Sequence, residues 1–114
     1  MSDLAPIVEI DGGSIRSVSD FHDVFAAAFG FPEFYGRNGN AWIDCMTDLD
    51  DPEAGMTKVH VEPGKCLTLQ IENAKAMKRD APEIWDTLAD HTAFVNWRRI
   101  EMGQGAVLAL SYRD

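Results

Sequence analysis

An α/β domain with a three-stranded parallel sheet and helices packed against it is the fold this sequence predicts. Three observations predict it. Apolar runs of strand length stand at residues 7–10, 66–71 and 106–112. Segments with apolar residues at helical spacing separate these runs. Helices placed between strands favour parallel pairing through right-handed crossovers. A chain of 114 residues fits one domain, 1–114, whose single apolar core needs no metal or disulfide staple.

The first strand is IVEI, alternating apolar and polar, and Asp11-Gly12-Gly13 turns the chain after it. Ser17 or Ser19 can cap the next helix, and Asp20, three residues after Ser17, completes a capping-box pattern. Its apolar face is Phe21, Val24, Phe25, Ala28 and Phe29, and Gly30 ends it. Phe31-Pro32 then forces an extended entry to a turn, because proline pushes its predecessor out of the helical region. Asn38 is the expected N-cap of a second helix. Residues 50–65, rich in Asp, Pro and Gly, read as a loop with at most a short extended piece at 59–61. The run CLTLQI is the expected central strand. Asp80-Ala81-Pro82-Glu83 has the form of a helix start, with Asp80 as cap, and the helix is expected to reach about Arg99. Ile84, Leu88 and Val95 line its inner face, Gly103 and Gly105 stop it, and the last strand follows.

The formal net charge is −9, and its placement matters more than its size. Residues 38–57 hold Asp44, Asp48, Asp50, Asp51 and Glu53 without a Lys or Arg, whereas residues 58–114 carry eight charges of each sign. Such a field repels phosphate backbones, so direct nucleic-acid binding is not expected. It draws in cationic proteins instead. Asp48, Asp50 and Asp51 either recruit a basic partner or only solvate the loop. No apolar run approaches the ~20 residues that span a bilayer, and the N-terminal residues lack the flank and core of a signal peptide. A cytoplasmic location without membrane contact is the expectation. The two cysteines, Cys45 and Cys66, sit in apolar contexts and read as free thiols.

Residues 32–47, PEFYGRNGNAWIDCMT, carry most of the functional signal. A turn with two aromatics and a glycine leads into a helix whose apolar stripe is Trp42, Cys45, Met46 and Leu49, at i, i+3, i+4 and i+7. The opposite face then carries Asn40, Ile43, Asp44, Thr47 and Asp48, with Ile43 exposed among acids. Of the two aromatics, Tyr35 is expected to pack inward and Phe34 to face a partner. An acidic, partly apolar helix face beside an aromatic turn suits a cationic groove on a protein better than it suits bond-making chemistry.

Over residues 10–49 the chain resembles the barstar family of intracellular ribonuclease inhibitors. The resemblance rests on IRSVSDFHDVF in the first helix and FPEFYGRNGNAWIDCMT across the turn and second helix. It implies a parallel three-stranded sheet and an inhibitor that enters a nuclease active site with this turn and helix. By residue, the family's key aspartate falls on Asp44 and its contacting aromatic on Phe34, while Tyr35, Gly36 and Asn38 match the supporting turn. The chain departs from the pattern elsewhere. Asn40 stands where the family has a second contacting aspartate, Ile43 where it has an exposed tryptophan, and Asp48-Leu49 where it has a glycine–tryptophan pair. Ungapped counting places Arg98 at the family's late carboxylate, and the run Trp97-Arg98-Arg99 reads as positive charge at a helix end, with a second contact patch as the alternative.

No serine or cysteine has a recognisable base, and no glycine-rich loop has a phosphate-binding pattern, so an enzyme and a bound cofactor are not expected. Residues 48–53 lack the glycine and terminal Glu of a calcium loop, and His22, His60 and His91 show no metal-ligand spacing. His22 fits a helix residue with a local hydrogen bond. The expected partner is a basic protein, a secreted ribonuclease or a related toxin, bound by a chain that is monomeric when free. The expected contact set is Phe34, Tyr35, Gly36, Asn38, Asn40, Ile43, Asp44 and Asp48. The alternative is an interaction module that keeps the fold without binding a ribonuclease.

Overall fold

Alternation of Leu67, Leu69 and Ile71 with Thr68, Gln70 and Glu72 gives the chain one strand with a fully buried face, and the sheet is built around it. This strand, β2 (Leu67–Glu72), lies between β1 (Ile7–Asp11) and β3 (Leu108–Tyr112), and both pairs are parallel. Val8 stands opposite Leu69, and Leu69 opposite Leu110. The computed structural model describes residues 6–114, and residues 1–5 of the expected domain lie outside them. The three-stranded parallel sheet with helices is the expected fold.

Helix α1 (Val18–Phe29) starts at Ser17, whose side chain accepts from the Asp20 amide at 3.0 Å. The Asp20 carboxylate answers by accepting from the Arg16 amide at 3.1 Å. Gly30, at φ 66°, closes the helix in the left-handed conformation that glycine adopts without a Cβ penalty. Phe21, Phe25 and Phe29 bury the inner face against Trp42, Met46 and Leu49 of the next segment. That segment is α2 (Gly39–Thr47), capped by Asn38, which accepts from the Ala41 amide at 2.8 Å.

The connector 50–65 forms no strand, within the loop reading, and it is pinned: the Lys58 amide donates to Phe29 O at 2.8 Å and the Val61 amide to Leu49 O at 3.0 Å. The second half departs from expectation at two points. A further helix, α3 (Ala74–Asp80), follows β2 and buries Ala74 and Met77. Asp80 is therefore the end of α3 and no cap. It pairs with Arg79 at 2.8 Å, and α4 (Pro82–Glu101) begins after Ala81 without any side-chain cap. The cause is Pro82, which excludes the helical conformation at Ala81 (φ −146°, ψ 61°) and cuts one helical stretch into two. Ile84, Leu88 and Val95 line the buried side of α4, and α4 packs along α2.

Candidate functional site

The turn between α1 and α2 owes its shape to short-range and cross-chain bonds. The Tyr35 amide donates to Pro32 O at 2.9 Å, and the Tyr35 ring packs on Phe31 with centroids 4.6 Å apart. Its hydroxyl is hydrogen-bonded to His22 Nδ1 at 2.6 Å, a bond across to α1 and not a local one. Arg37 completes the anchorage, donating to Asp23 Oδ1 at 2.8 Å and Ser19 Oγ at 3.1 Å. These bonds hold Arg37 at φ 54°, a left-handed conformation costly for a side chain of this kind. With Tyr35 turned inward, Phe34 stands out, 76 % exposed.

Helix α2 meets this turn edge-on. Phe34, Tyr35 and Gly36 line one recess of about 150 Å³ with Asp44 and Cys45 of α2 and Met56 of the connector. Asn40 and Asp44, one helical turn apart, form the exposed stripe of α2 beside it. A Cβ on Gly36 would meet Asn38 Nδ2 and Ala41 Cβ at 3.5 and 3.6 Å, ordinary contacts, so glycine there keeps the recess deep and relieves no clash.

Ile43 does not belong to this surface. It is 7 % exposed and packed in the core, which corrects the expectation of an apolar contact on the open face. Thr47 is buried with it, donating to Ile43 O at 2.6 Å. The reason is α4, which covers a second side of α2, so that both the Trp42–Met46 side and the Ile43–Thr47 side are closed to solvent. Asp48 is half-buried at the carboxyl end of α2, and burial, then Asp51 and Asp50, push its pKa up from the usual carboxylate value. It is a weaker member of the surface than its place in the sequence implies.

Two arginines reshape the charge. Arg98 Nη2 donates to Asp44 Oδ1 at 3.1 Å and to Thr47 Oγ1 at 2.8 Å. Arg99 is buried; it grips Asp50 through two bonds of 2.7 and 3.1 Å and donates to Thr47 O and Gly105 O at 2.7 and 2.8 Å. These side chains are cross-links from α4, beyond the helix-end role expected of them. Asp50 is structural, and the stretch 38–57 presents less negative charge than its composition states. Arg37 and Met56 are the site residues sequence reasoning missed; Arg98 and Arg99 were singled out, but nothing local to them reports which carboxylates they meet.

Neither cysteine is bridged. Burial, then Asp44 and Asp48, push the Cys45 thiol up to about 11, so it stays protonated at the floor of the recess. Burial also pushes the Tyr35 hydroxyl up and holds His22 below the ordinary histidine value, with Arg37 adding to the effect on His22. Among the described residues, no three His, Cys, Asp or Glu side chains converge to hold a metal ion. The recess therefore has the makings of a docking surface: an exposed ring, a carboxylate rim and no activated nucleophile.

Residues 5–104 match the family model described as Barstar (barnase inhibitor). The chain belongs to the barstar family. Barstar-family proteins are inhibitors of barnase-like ribonucleases, not enzymes, and they act by binding another protein. The matched span takes in α1, the turn, α2 and all of α4.

Proposed function

We propose that the chain is an intracellular, immunity-type inhibitor of a basic, secreted barnase-like ribonuclease or related toxin. It blocks the active site with the recess turn and the exposed stripe of α2. One observation carries this reading: Phe34, Tyr35 and Gly36 from the turn and Asp44 from α2 meet at one recess. A ring and a carboxylate side by side match a cleft that binds a base and its phosphate. Phe34 and Asp44 are the primary contacts; Tyr35, Gly36 and Asn38 position them; Asn40 and Asp48 flank them. The inhibitor acts in the cytoplasm before its partner is exported, binds as a monomer, and touches neither nucleic acid nor membrane.

The test is inhibition of barnase and of other basic secreted ribonucleases by wild type and by Asp44→Ala. Wild type lowers ribonuclease activity at stoichiometric amounts, and Asp44→Ala weakens inhibition by roughly tenfold or more. Full ribonuclease activity in the presence of wild type, for every nuclease tried, removes the reading. A second reading, an interaction module of the same fold that does not bind nucleases, is favoured by one observation: Arg98 already satisfies one oxygen of Asp44. Partner capture that is indifferent to Asp44→Ala would support it.

A further inference from the structure

A cavity of about 110 Å³ opens where α1, the start of α2 and α4 meet, and it shares no lining residue with the recess. Its apolar walls are Val18 and Phe21 from α1 and Ile84 from α4, with Val18, 63 % exposed, at the mouth. Its polar side chains are His22, Thr87 and His91, each three, four or seven residues from a wall residue and so on the same helix stripe. Gly39 closes the gap between the two helices. A Cβ there would lie 2.6 Å from His91 Nε2, so glycine is what lets this imidazole rest on the first turn of α2. Thr87 Oγ1 already donates to Glu83 O at 2.9 Å. His22 Nδ1 is bonded to the Tyr35 hydroxyl at 2.6 Å, and the Phe21 ring stands edge-on to the imidazole at 5.3 Å. Only Nε2 of His22 is left to serve the cavity. Among the described residues, neither ring nitrogen of His91 has a hydrogen-bond partner, although its ring lies 6.0 Å from that of Trp42.

We infer that this cavity binds a phenol, a small neutral molecule with one aromatic ring and a hydroxyl. Volume limits the ring count. An apolar cavity of about 150 Å³ accepts benzene, so one of about 110 Å³ holds a single ring and no more. Charge limits the rest. Burial holds both imidazoles below the ordinary histidine value and therefore neutral at pH 7.5, and no carboxylate or ammonium lines the cavity. Neither an anion nor a cation finds a counter-charge there. A neutral imidazole presents one donor and one acceptor nitrogen. A hydroxyl both donates and accepts, so it serves His22 and His91 in either tautomer. A flat ring fits the Phe21 and imidazole faces better than a branched aliphatic body does. The phenol is either free or carried by a tyrosine side chain, and p-cresol and N-acetyltyrosinamide stand for these two sources.

The experiment titrates the full chain with p-cresol at pH 7.5 and follows the ring signals of His22 and His91 by NMR. Toluene, which has the same outline without the hydroxyl, is the control. The expected result is saturable shifts at both rings, with a dissociation constant on the order of 1 mM and toluene roughly tenfold weaker. N-acetyltyrosinamide binding as tightly as p-cresol supports the same chemistry and assigns it to a tyrosine side chain; p-cresol binding alone assigns it to a free phenol. His91→Phe keeps a ring without its nitrogens, and in it p-cresol should lose most of its advantage over toluene. Gly39→Ala displaces the imidazole and should weaken p-cresol by a similar factor, with circular dichroism confirming that the helices are intact. No saturable shift up to the solubility of p-cresol overturns the inference. So does equal binding of p-cresol and toluene to wild type, or an unchanged preference for p-cresol in both variants.

Discussion

Tyr35 and His22 meet at 2.6 Å between hydroxyl and Nδ1, and this bond ties the turn before α2 to α1. Phe34 projects because its neighbour is held inward by that bond and by the Phe31 ring. Replacing Tyr35 by Phe keeps the ring but leaves the buried imidazole nitrogen without its partner. Stability should fall by about 1–2 kcal/mol, read as a lower urea midpoint with an unchanged slope. A variant as stable as wild type would show that the ring alone sets the turn.

The same histidine makes stability depend on pH. His22 and His91 both lie below the ordinary histidine value, chiefly through burial; Arg37 and His91 add to the shift at His22, while Asp23 opposes it there and Asp90 opposes it at His91. A histidine depressed in the folded state takes up a proton on unfolding. Its contribution is complete above about pH 6.5 and is lost as pH falls through the depressed values. Asp48, raised in the fold, acts in the opposite sense and in a lower window, near the ordinary carboxylate value. Urea midpoints should therefore drop between pH 7.5 and 5.5, and drop less in His22→Gln and His91→Gln. An equal drop in both variants would place the dependence elsewhere.

Arg99 is 4 % exposed and Asp50 18 %, so their ion pair is largely out of water. Removing one member leaves the other charge uncompensated, together with the Thr47 and Gly105 carbonyls. Arg99→Ala should cost about 3–5 kcal/mol. Asp50→Asn should cost less, since the two carbonyl contacts survive. Thermal unfolding of the two variants checks the order.

Arg98 moderates the field around Asp44. Arg98→Gln should speed association with a cationic nuclease at low salt, and the gain should shrink as ionic strength shortens the Debye length to about 10 Å at 0.1 M. Stopped-flow association rates across a salt series decide this. A rate indifferent to salt in both proteins would mean that apolar contact, not steering, governs the encounter.

Much of the framework was legible because it is local. Ser17, Gly30 and Asn38 announce their caps within a few residues, and β2 is a plain apolar alternation. The turn and Asp44 were legible by resemblance. What escaped depends on distant chain. Periodicity gives α2 a single buried stripe, and nothing within residues 39–47 reports that α4 covers a second one; Ile43 was therefore placed on the wrong side. The Arg98–Asp44 bond joins residues 54 positions apart, beyond the reach of any local pattern. Helix α3 was missed because AKAMKRD has helix-forming residues but only Ala74 and Met77 to mark an inner face.

With solvent excluded from two of its sides, α2 has only Asn40 and Asp44 at its fully exposed positions beyond the first residues of the turn. Ala41 is half-exposed at the recess, and the positions after it other than Asp44 border the core or the seam with α4. A lineage adapting to a different partner thus has two fully open letters to rewrite on this helix, with Ala41 a third, and must find the rest of its vocabulary in the loop before it.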